Sequence, residues 1–506
     1  MSNGSGSGFS QPKQDDPHKK GLGMTCGSTG QRAFEFLLPG APQEIVPFLA
    51  RTAAQHIFYS HVTRRLLGQA LDGGIEGDLA ESWEVSPDFK RFDFKLKKAF
   101  WSDGTPLLAR DILRTFESGM KIGSTTHFDF GVISGVSLNG DSAIVINLKK
   151  SSPNFLRAIL VPETGVLHEK SLLAQKIATD HPTSGAYVFN SWSDGVASIT
   201  RNSYFESALK GAPECAILKA TDITNFKPAS GDPLKIDLAW MPSNMPTDLH
   251  NEMLATGKVS KIEPPIAFSY FLAFNPDSIV FKTLRERRLV QASLAPGRFQ
   301  PKFNGPQYVR ADQLYQPDGP GRPSQEWIKN FWSNLQKEHS GVQSADRSKK
   351  PLRLAYSKVN AFHKSIEEEL QKLGYDLQPV VWANSAEYVE IVSNPQRYDA
   401  ILLNNDFSSV DLLENLQVTF NVSRPYIKLP KGAVELKVMK DAIAEADPSK
   451  RYGFYEKIGK NLLEQARIVP LAYERIILYH GKHVDMSQLS TVSPDLRLWR
   501  VKVVTK

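Results

Sequence analysis

The alternation of hydrophobic and polar positions along this chain changes period several times, and each change marks an element. Ala33-Phe34-Glu35-Phe36-Leu37-Leu38 is a largely apolar run stopped by Pro39-Gly40, which predicts a buried first strand. A helical stretch is predicted from about Pro47, where Phe58, Val62, Leu66 and Leu67 recur at intervals of three to four. Ser82-Trp83-Glu84-Val85, the turn residues Ser86-Pro87-Asp88 and Phe92-Asp93-Phe94-Lys95-Leu96 then read as a hairpin. Its second half alternates apolar with charged residues, giving one buried and one wet face. Trp101-Ser102-Asp103-Gly104-Thr105-Pro106 is turn chemistry, and the helix after it buries Ile112, Leu113 and Phe116. Ala143-Ile144-Val145-Ile146-Asn147-Leu148 predicts a further strand.

Between residues 352 and 403 the two periods take turns. Residues 352–356 read as a short strand. Phe362, Ile366, Leu370 and Leu373 form a stripe on the next helix, with Glu367, Glu368 and Glu369 mostly outside it and Gly374 as its C-terminal cap. Residues 375–381 and 398–403 read as two more strands with a helix between them. Strand–helix–strand units of this length predict a parallel sheet with helices packed on it. Pro317-Asp318-Gly319-Pro320-Gly321-Arg322-Pro323 is a loop outside the unit.

Composition sets the scale. With 41% hydrophobic residues the core is large, and 506 residues exceed what one core holds, so roughly three domain-sized units are expected. No stretch approaches the ~20 consecutive apolar residues that span a bilayer. The net charge is +7, but basic residues are spread along the chain among Asp and Glu. Dense spots such as Arg285-Glu286-Arg287-Arg288 are short, which predicts a solvated basic surface and no nucleic-acid partner. Residues 1–31 are rich in Gly, Ser, Pro and Lys and read as a flexible tail. They lack the apolar run of about 7–15 residues that a secretory signal needs. Two cysteines exclude a disulfide scaffold and any CxxC metal site. Cys26 and Cys215 are candidates for one pairing; Cys26 is alternatively a lipidation site, with Gly23 standing where a branched apolar residue is wanted. His480 and His483 are joined by no carboxylate or cysteine cluster and read as an exposed pair, so no metal is expected. Walker A, HExxH and GxSxG patterns are absent from the sequence, and no cofactor or catalysis is expected.

One segment is distinctive. Leu79-Ala80-Glu81-Ser82-Trp83-Glu84-Val85-Ser86, Phe92 to Leu96, Asp103-Gly104-Thr105-Pro106 and Ala109-Arg110-Asp111-Ile112 together resemble the signature of the family 5 extracellular solute-binding proteins, the peptide- and nickel-binding group. Ser152-Pro153-Asn154-Phe155-Leu156, Ser184-Gly185-Ala186-Tyr187, Arg201-Asn202-Ser203-Tyr204-Phe205, Phe274-Asn275 and Tyr455 to Leu471 resemble further blocks in the family's order. The resemblance implies an α/β protein of two lobes, a type II periplasmic-binding-protein-like fold with an extra domain in the first lobe. The expected boundaries are a tail at 1–31, lobe I at 32–65, 163–265 and 481–506, the extra domain at 66–162, and lobe II at 266–480. The implied function is the solute-binding subunit of an ABC importer, a monomer in the periplasm or cell envelope. It would take a peptide or similar small solute to membrane permease subunits.

Departures from the family open alternatives. Its peptide binders use an Asp in a loop corresponding to Asn404-Asn405-Asp406-Phe407-Ser408-Ser409-Val410-Asp411-Leu412, where that Asp meets the peptide α-amine. Aligned on Asp411, this sequence places Ser408 at the amine position and has no Trp in the loop. Asp406 or Asp411 is therefore the candidate amine partner, since a buried unpaired charge costs several kcal/mol, on the order of 3–5. Trp240 and Trp382, at predicted strand ends, are candidates for ligand contact or for core packing. A cytoplasmic ligand sensor on the same fold and a binder of a non-peptide solute such as an oligosaccharide remain the competing functions.

Overall fold

The computed structural model describes residues 25–26, 31–41, 47–50, 52–125, 127–226, 236–242, 245–263, 268–302, 305–317, 319–339, 350–358, 360, 362–383, 385–406, 412–420, 428–489 and 496–504. The Gly/Ser-rich segment expected as a tail to residue 31 contains a short ladder, Thr25–Cys26 paired antiparallel with Gln31–Arg32. The apolar run near the start becomes the strand Phe34–Leu38, buried at every position. It lies inside a seven-stranded sheet in the order Tyr187–Ser193, Val196–Arg201, Cys215–Ala220, Phe34–Leu38, Leu238–Trp240, Leu478–Gly481, Val259–Ile262. Side chains alternate across a strand. Phe34, Phe36 and Leu38 accordingly enter one core while Leu37 enters another on the opposite face. Its one charged side chain, Glu35, pairs with Lys219, and the Glu35 amide donates to the buried carboxylate of Asp237 at 2.8 Å. Cys215, buried at the start of its strand, is disulfide-bonded.

The helix Ala53–Val62 packs on this sheet and begins with a capping box, the Thr52 hydroxyl accepting from the Gln55 amide and the Gln55 side chain accepting from the Thr52 amide. It ends at Thr63, whose backbone is extended. Leu66 and Leu67, which the spacing assigned to this helix, lie beyond it, and Leu67 opens the strand Leu67–Gln69. Gly185 presses against the end of the helix. A Cβ there would sit 2.2 Å from the His61 carbonyl oxygen, so only glycine fits.

Residues 66–162 hold a separate four-stranded antiparallel sheet, in the order Ile133–Leu138, Ala143–Leu148, Arg91–Leu96, Ala80–Val85. The alternation of 92–96 is realised directly: Phe92, Phe94 and Leu96 are buried. Ala109–Ile122 covers the sheet, its start fixed by the Asp111 carboxylate accepting from the Leu108 amide at 2.9 Å. This insertion has no core of its own, for Phe92, Phe116 and Phe130 belong to the same buried cluster as Phe36 and Phe58.

The second large sheet, of six strands, is ordered Tyr308–Arg310, Ile468–Glu474, Phe268–Phe274, Ala400–Asp406, Lys350–Ser357, Tyr375–Trp382. Lys350–Ser357 pairs parallel with both Tyr375–Trp382 and Ala400–Asp406, and helices fill both connections, the arrangement expected of residues 352–403. None of these strands joins the sheet containing Phe34–Leu38, so the protein has two α/β bodies. Gly374, with φ +85°, ends the first of the connecting helices as its sequence position predicts. The chain passes from the first sheet to the second between Ile262 and Phe268 and returns between Glu474 and Leu478. Leu478–Gly481 thus belongs to the first sheet, which moves the expected return after residue 480 forward to residues 475–477. Among the described residues, no helix is long and apolar enough to cross a membrane.

The second body contains a buried ion pair that ties two of its strands. Asp399 is 1% exposed and accepts from Arg353 Nε and Nη2 at 2.9 Å each, from the Arg353 amide at 3.0 Å and from Ser278 Oγ at 2.7 Å. Burial pushes the Asp399 carboxyl up, and the donors from Arg353 and Ser278 outweigh it and hold the pKa below the usual range. Asp399→Ala is expected to destabilise the second body by about 1–3 kcal/mol, because Ser278 and the Arg353 amide and guanidinium lose a buried acceptor. With the folded pKa below the unfolded ~3.9, the contribution is complete above pH ~4 and lost as pH falls through the folded value. Urea unfolding of wild type and Asp399→Ala from neutral to acid pH should show the difference shrinking only in acid.

Candidate functional site

Parallel strands end together, so the sheet registers locate the edges that face each other across the two crossings. On the first sheet, Trp240 pairs with Leu478, and Leu478 with Ile262. Ile262 and Leu478 are the residues at which the chain leaves and re-enters this sheet. On the second sheet, Phe268 lies opposite Asp406 on one side and Glu474 on the other, and Ser357 lies opposite Trp382. The carboxyl edges of both sheets therefore flank the crossings, the place where open α/β sheets bind ligands. Phe268 packs against the first body's core, and the returning residues Ile476 and Ile477 are buried in its two hydrophobic clusters. Glu263 and Arg475, one on each crossing, form an ion pair at 3.3 Å, with Lys261 also on Glu263. Hydrogen bonding from Lys261, against the opposing effect of partial burial, lowers the Glu263 pKa.

The register brings Asp406 and Trp382 to one of these edges and Trp240 to the other. Trp240 is 8% exposed and sits in the first body's core, while Trp382 is 9% exposed with its ring 5.3 Å from Tyr388 in the second body's core. Both indoles are placed at the cleft margin, but mostly as packing. Asp406 is the last residue of its strand; its side chain, and all of Ser408 and Asp411, lie outside the described residues. His483 Nε2 donates to the Asp237 carboxylate at 2.7 Å, which ties it into the first sheet, and His480 contacts the Gly481 carbonyl.

A carboxyl that the sequence did not single out stands at the same edge. Glu474 accepts a hydrogen bond from Tyr270 Oη at 2.7 Å, and Tyr270, Tyr308 and Phe362 form a ring cluster with centroids 5.1–6.2 Å apart. Burial raises the Glu474 pKa, and the tyrosine hydrogen bonds only partly offset it. Burial also raises Tyr270, with the Glu474 charge adding to the shift. A cation brought to this edge would favour the ionised carboxylate. The only sequence signal was a charge at the end of an apolar strand.

A hydrogen bond joins the insertion to the second body. Arg451, 2% exposed at the start of Pro448–Glu464, donates from Nη1 to Asn154 Oδ1 at 3.1 Å, while its Nε donates to the Glu445 carbonyl at 2.9 Å. A different hollow, lined by Arg64, Asp78, Glu76, Arg497 and Arg500, lies within the first body, and its charges are mutually paired: Arg64 with Asp78 at 2.7 Å and Arg497 with Glu76 at 2.8 Å.

Two α/β bodies, two adjacent crossings and facing strand edges define a two-lobed α/β fold. Residues 74–293 match the profile described as bacterial extracellular solute-binding proteins, family 5 middle. Over that span the chain is similar to this family. It is 37% identical over 95 residues to a Brucella abortus protein provisionally named an ABC transporter peptide-binding protein, an alignment covering 18% of each chain. It is 23% identical over 269 residues to the periplasmic oligopeptide-binding protein OppA of Salmonella typhimurium, covering 46% of this chain and 48% of OppA. The matches thus span half or less of these curated relatives. Among solved structures, DppA from Helicobacter pylori in complex with the peptide STSA superposes with a TM-score of 0.74 at 15% identity, covering 94% of this chain and 98% of DppA. At that identity the likeness shows the fold.

Removing the cross-lobe acceptor should loosen the contact between the bodies. A hydrogen bond to a charged donor contributes about 1.5–3 kcal/mol, so Asn154→Ala is expected to shift the population toward separated lobes by roughly tenfold or more. Small-angle scattering should give a larger radius of gyration for the variant. Equal radii would show that this contact does not hold the lobes.

Proposed function

We propose that this chain is the solute-binding subunit of an ABC importer, capturing a peptide or similar solute between its two lobes and presenting it to permease subunits in the membrane. The observation that carries this reading is the pair of facing carboxyl edges, with Asp406 and Trp382 on one and Trp240 on the other. A solute held there touches both bodies at once, so its binding free energy draws them together. The task is capture and release rather than bond chemistry. The relatives named as peptide-binding and periplasmic support the solute class and the compartment.

Cys215 bears on the compartment as well. Disulfides persist in oxidising surroundings and are rare in the cytosol, so the disulfide at Cys215 favours the cell envelope over a cytoplasmic sensor. Thiol labelling of the denatured, unreduced protein should find no reactive thiol when it is purified from the envelope. Cys215→Ser should lose about 2–4 kcal/mol of stability under oxidising conditions, and that difference should vanish after reduction. Two free thiols in envelope-derived protein would favour the cytoplasmic reading.

For a peptide, the α-amine needs a carboxylate when it leaves water. Asp406 ends its strand at the facing edge, and Asp411 follows in the same connection, so these two are the proposed amine partners, with Ser408 as a neutral hydrogen-bonding neighbour. Calorimetric titration with trialanine and N-acetyl-trialanine tests this. The free peptide should bind at least about 30-fold more tightly, since leaving a buried charge unpaired costs 2–5 kcal/mol. Asp406→Asn or Asp411→Asn should abolish the preference. Equal affinity for the two peptides in wild type would discard amine recognition and favour a capped peptide or an oligosaccharide.

A further inference from the structure

Among the described residues, three ligand-type side chains lie at the junction of the insertion and the first lobe, their donor atoms all within 4.8 Å of one another: His56, His127 and Glu163. His56 is on the helix Ala53–Val62, His127 follows the helix Ala109–Ile122 of the insertion, and Glu163 sits in the turn Pro162–Thr164 where the chain returns. The Glu163 carboxylate is fully buried. Its Oε1 accepts from the His127 amide at 3.1 Å and from His127 Nδ1 at 2.8 Å, and lies 3.6 Å from His56 Nε2. Its Oε2 is buried and has no hydrogen-bond partner among the described residues, and the same holds for His56 Nε2. A buried carboxylate oxygen left in this way is costly and calls for an explanation.

The orientation of His56 supplies the second half of that explanation. Its ring is hydrogen-bonded to the Ala50 backbone. With Nε2 unengaged, that bond falls to Nδ1, which fixes the tautomer and leaves the Nε2 lone pair directed at Glu163, the outer-shell arrangement of metal-binding histidines. The edges of 2.8 and 3.6 Å bracket the ~3.3 Å between ligands of a tetrahedral zinc with bonds of about 2.0–2.1 Å. We propose that His56, His127 and Glu163 bind a single borderline transition-metal dication, zinc by the chemistry of the set, which pins the insertion of residues 66–162 to the first lobe. On loading, His127 turns its Nδ1 lone pair to the ion, and the proton it carried moves to Nε2 on the half-exposed side of the ring. Two imidazoles select zinc over magnesium or calcium. Arg65, a positive charge felt at His56, donates from Nη1 to the Leu160 carbonyl at 2.6 Å.

The test uses the full chain, stripped with chelator and titrated with Co²⁺ and then Zn²⁺. One equivalent of Co²⁺ should bind with the visible absorption of a tetrahedral site, and Zn²⁺ should displace it. His127→Ala removes a half-exposed ring and is expected to fold; it, His56→Ala and Glu163→Gln should each weaken binding about tenfold or more. Zn²⁺ should raise the Tm of wild type and of the double variant His480→Ala/His483→Ala, and leave His127→Ala unchanged. The proposal fails if wild type shows no saturable one-to-one binding, or if His127→Ala binds as wild type does. It also fails if the double variant loses the metal, or if millimolar Mg²⁺ displaces Co²⁺.

Discussion

The structure depends on how the chain passes between its two sheets. Two crossings, one between Ile262 and Phe268 and one between Glu474 and Leu478, connect strands that are neighbours within each sheet. Each body closes its own cores: Phe36 and Tyr479 belong to clusters of the first, Phe271 and Leu272 to clusters of the second. The lobes can therefore rotate about the crossings without exposing either core. Phe268, Ile476 and Ile477, packed into the first body, and the Glu263–Arg475 pair hold the crossings themselves in place. A hinge between the two bodies would lie at these crossings, next to the facing strand edges.

Much of this was legible where the information is local. The hairpin of 80–96 and the alternating unit of 350–406 follow from periods of two and of 3.6 residues, each read within a single element. Leu66 and Leu67 were misassigned because apolar spacing continues past the helix, while its end is set by the extended backbone at Thr63. The return crossing was placed too late for a related reason. Ile468–Glu474 and Leu478–Gly481 are both apolar, and only hydrogen-bond pairing shows that they belong to different sheets.

The candidate site residues were read from strand ends. Strand ends marked Trp240, Trp382 and Asp406, and register places all three at the facing edges; the burial of both indoles comes from packing that no local pattern encodes. Glu474 escaped notice because its environment is built from strands far apart in sequence, with Tyr270 and Tyr308 meeting it only through sheet register. His56, His127 and Glu163 are separated by most of the insertion, so their spacing matches no short motif.

The insertion shares its core with the first lobe and so moves with it, carrying Asn154 toward or away from Arg451. A hydrogen bond of this kind contributes about 1.5–3 kcal/mol to the balance between open and closed arrangements. In such a balance a ligand moves the equilibrium only through its differential affinity for the two states. A solute that touched one sheet edge alone would bind open and closed forms alike and shift nothing. On the proposed reading, a solute that closes the lobes therefore reaches from the Trp240 edge to the Asp406 edge, and its length counts for more than any one contact.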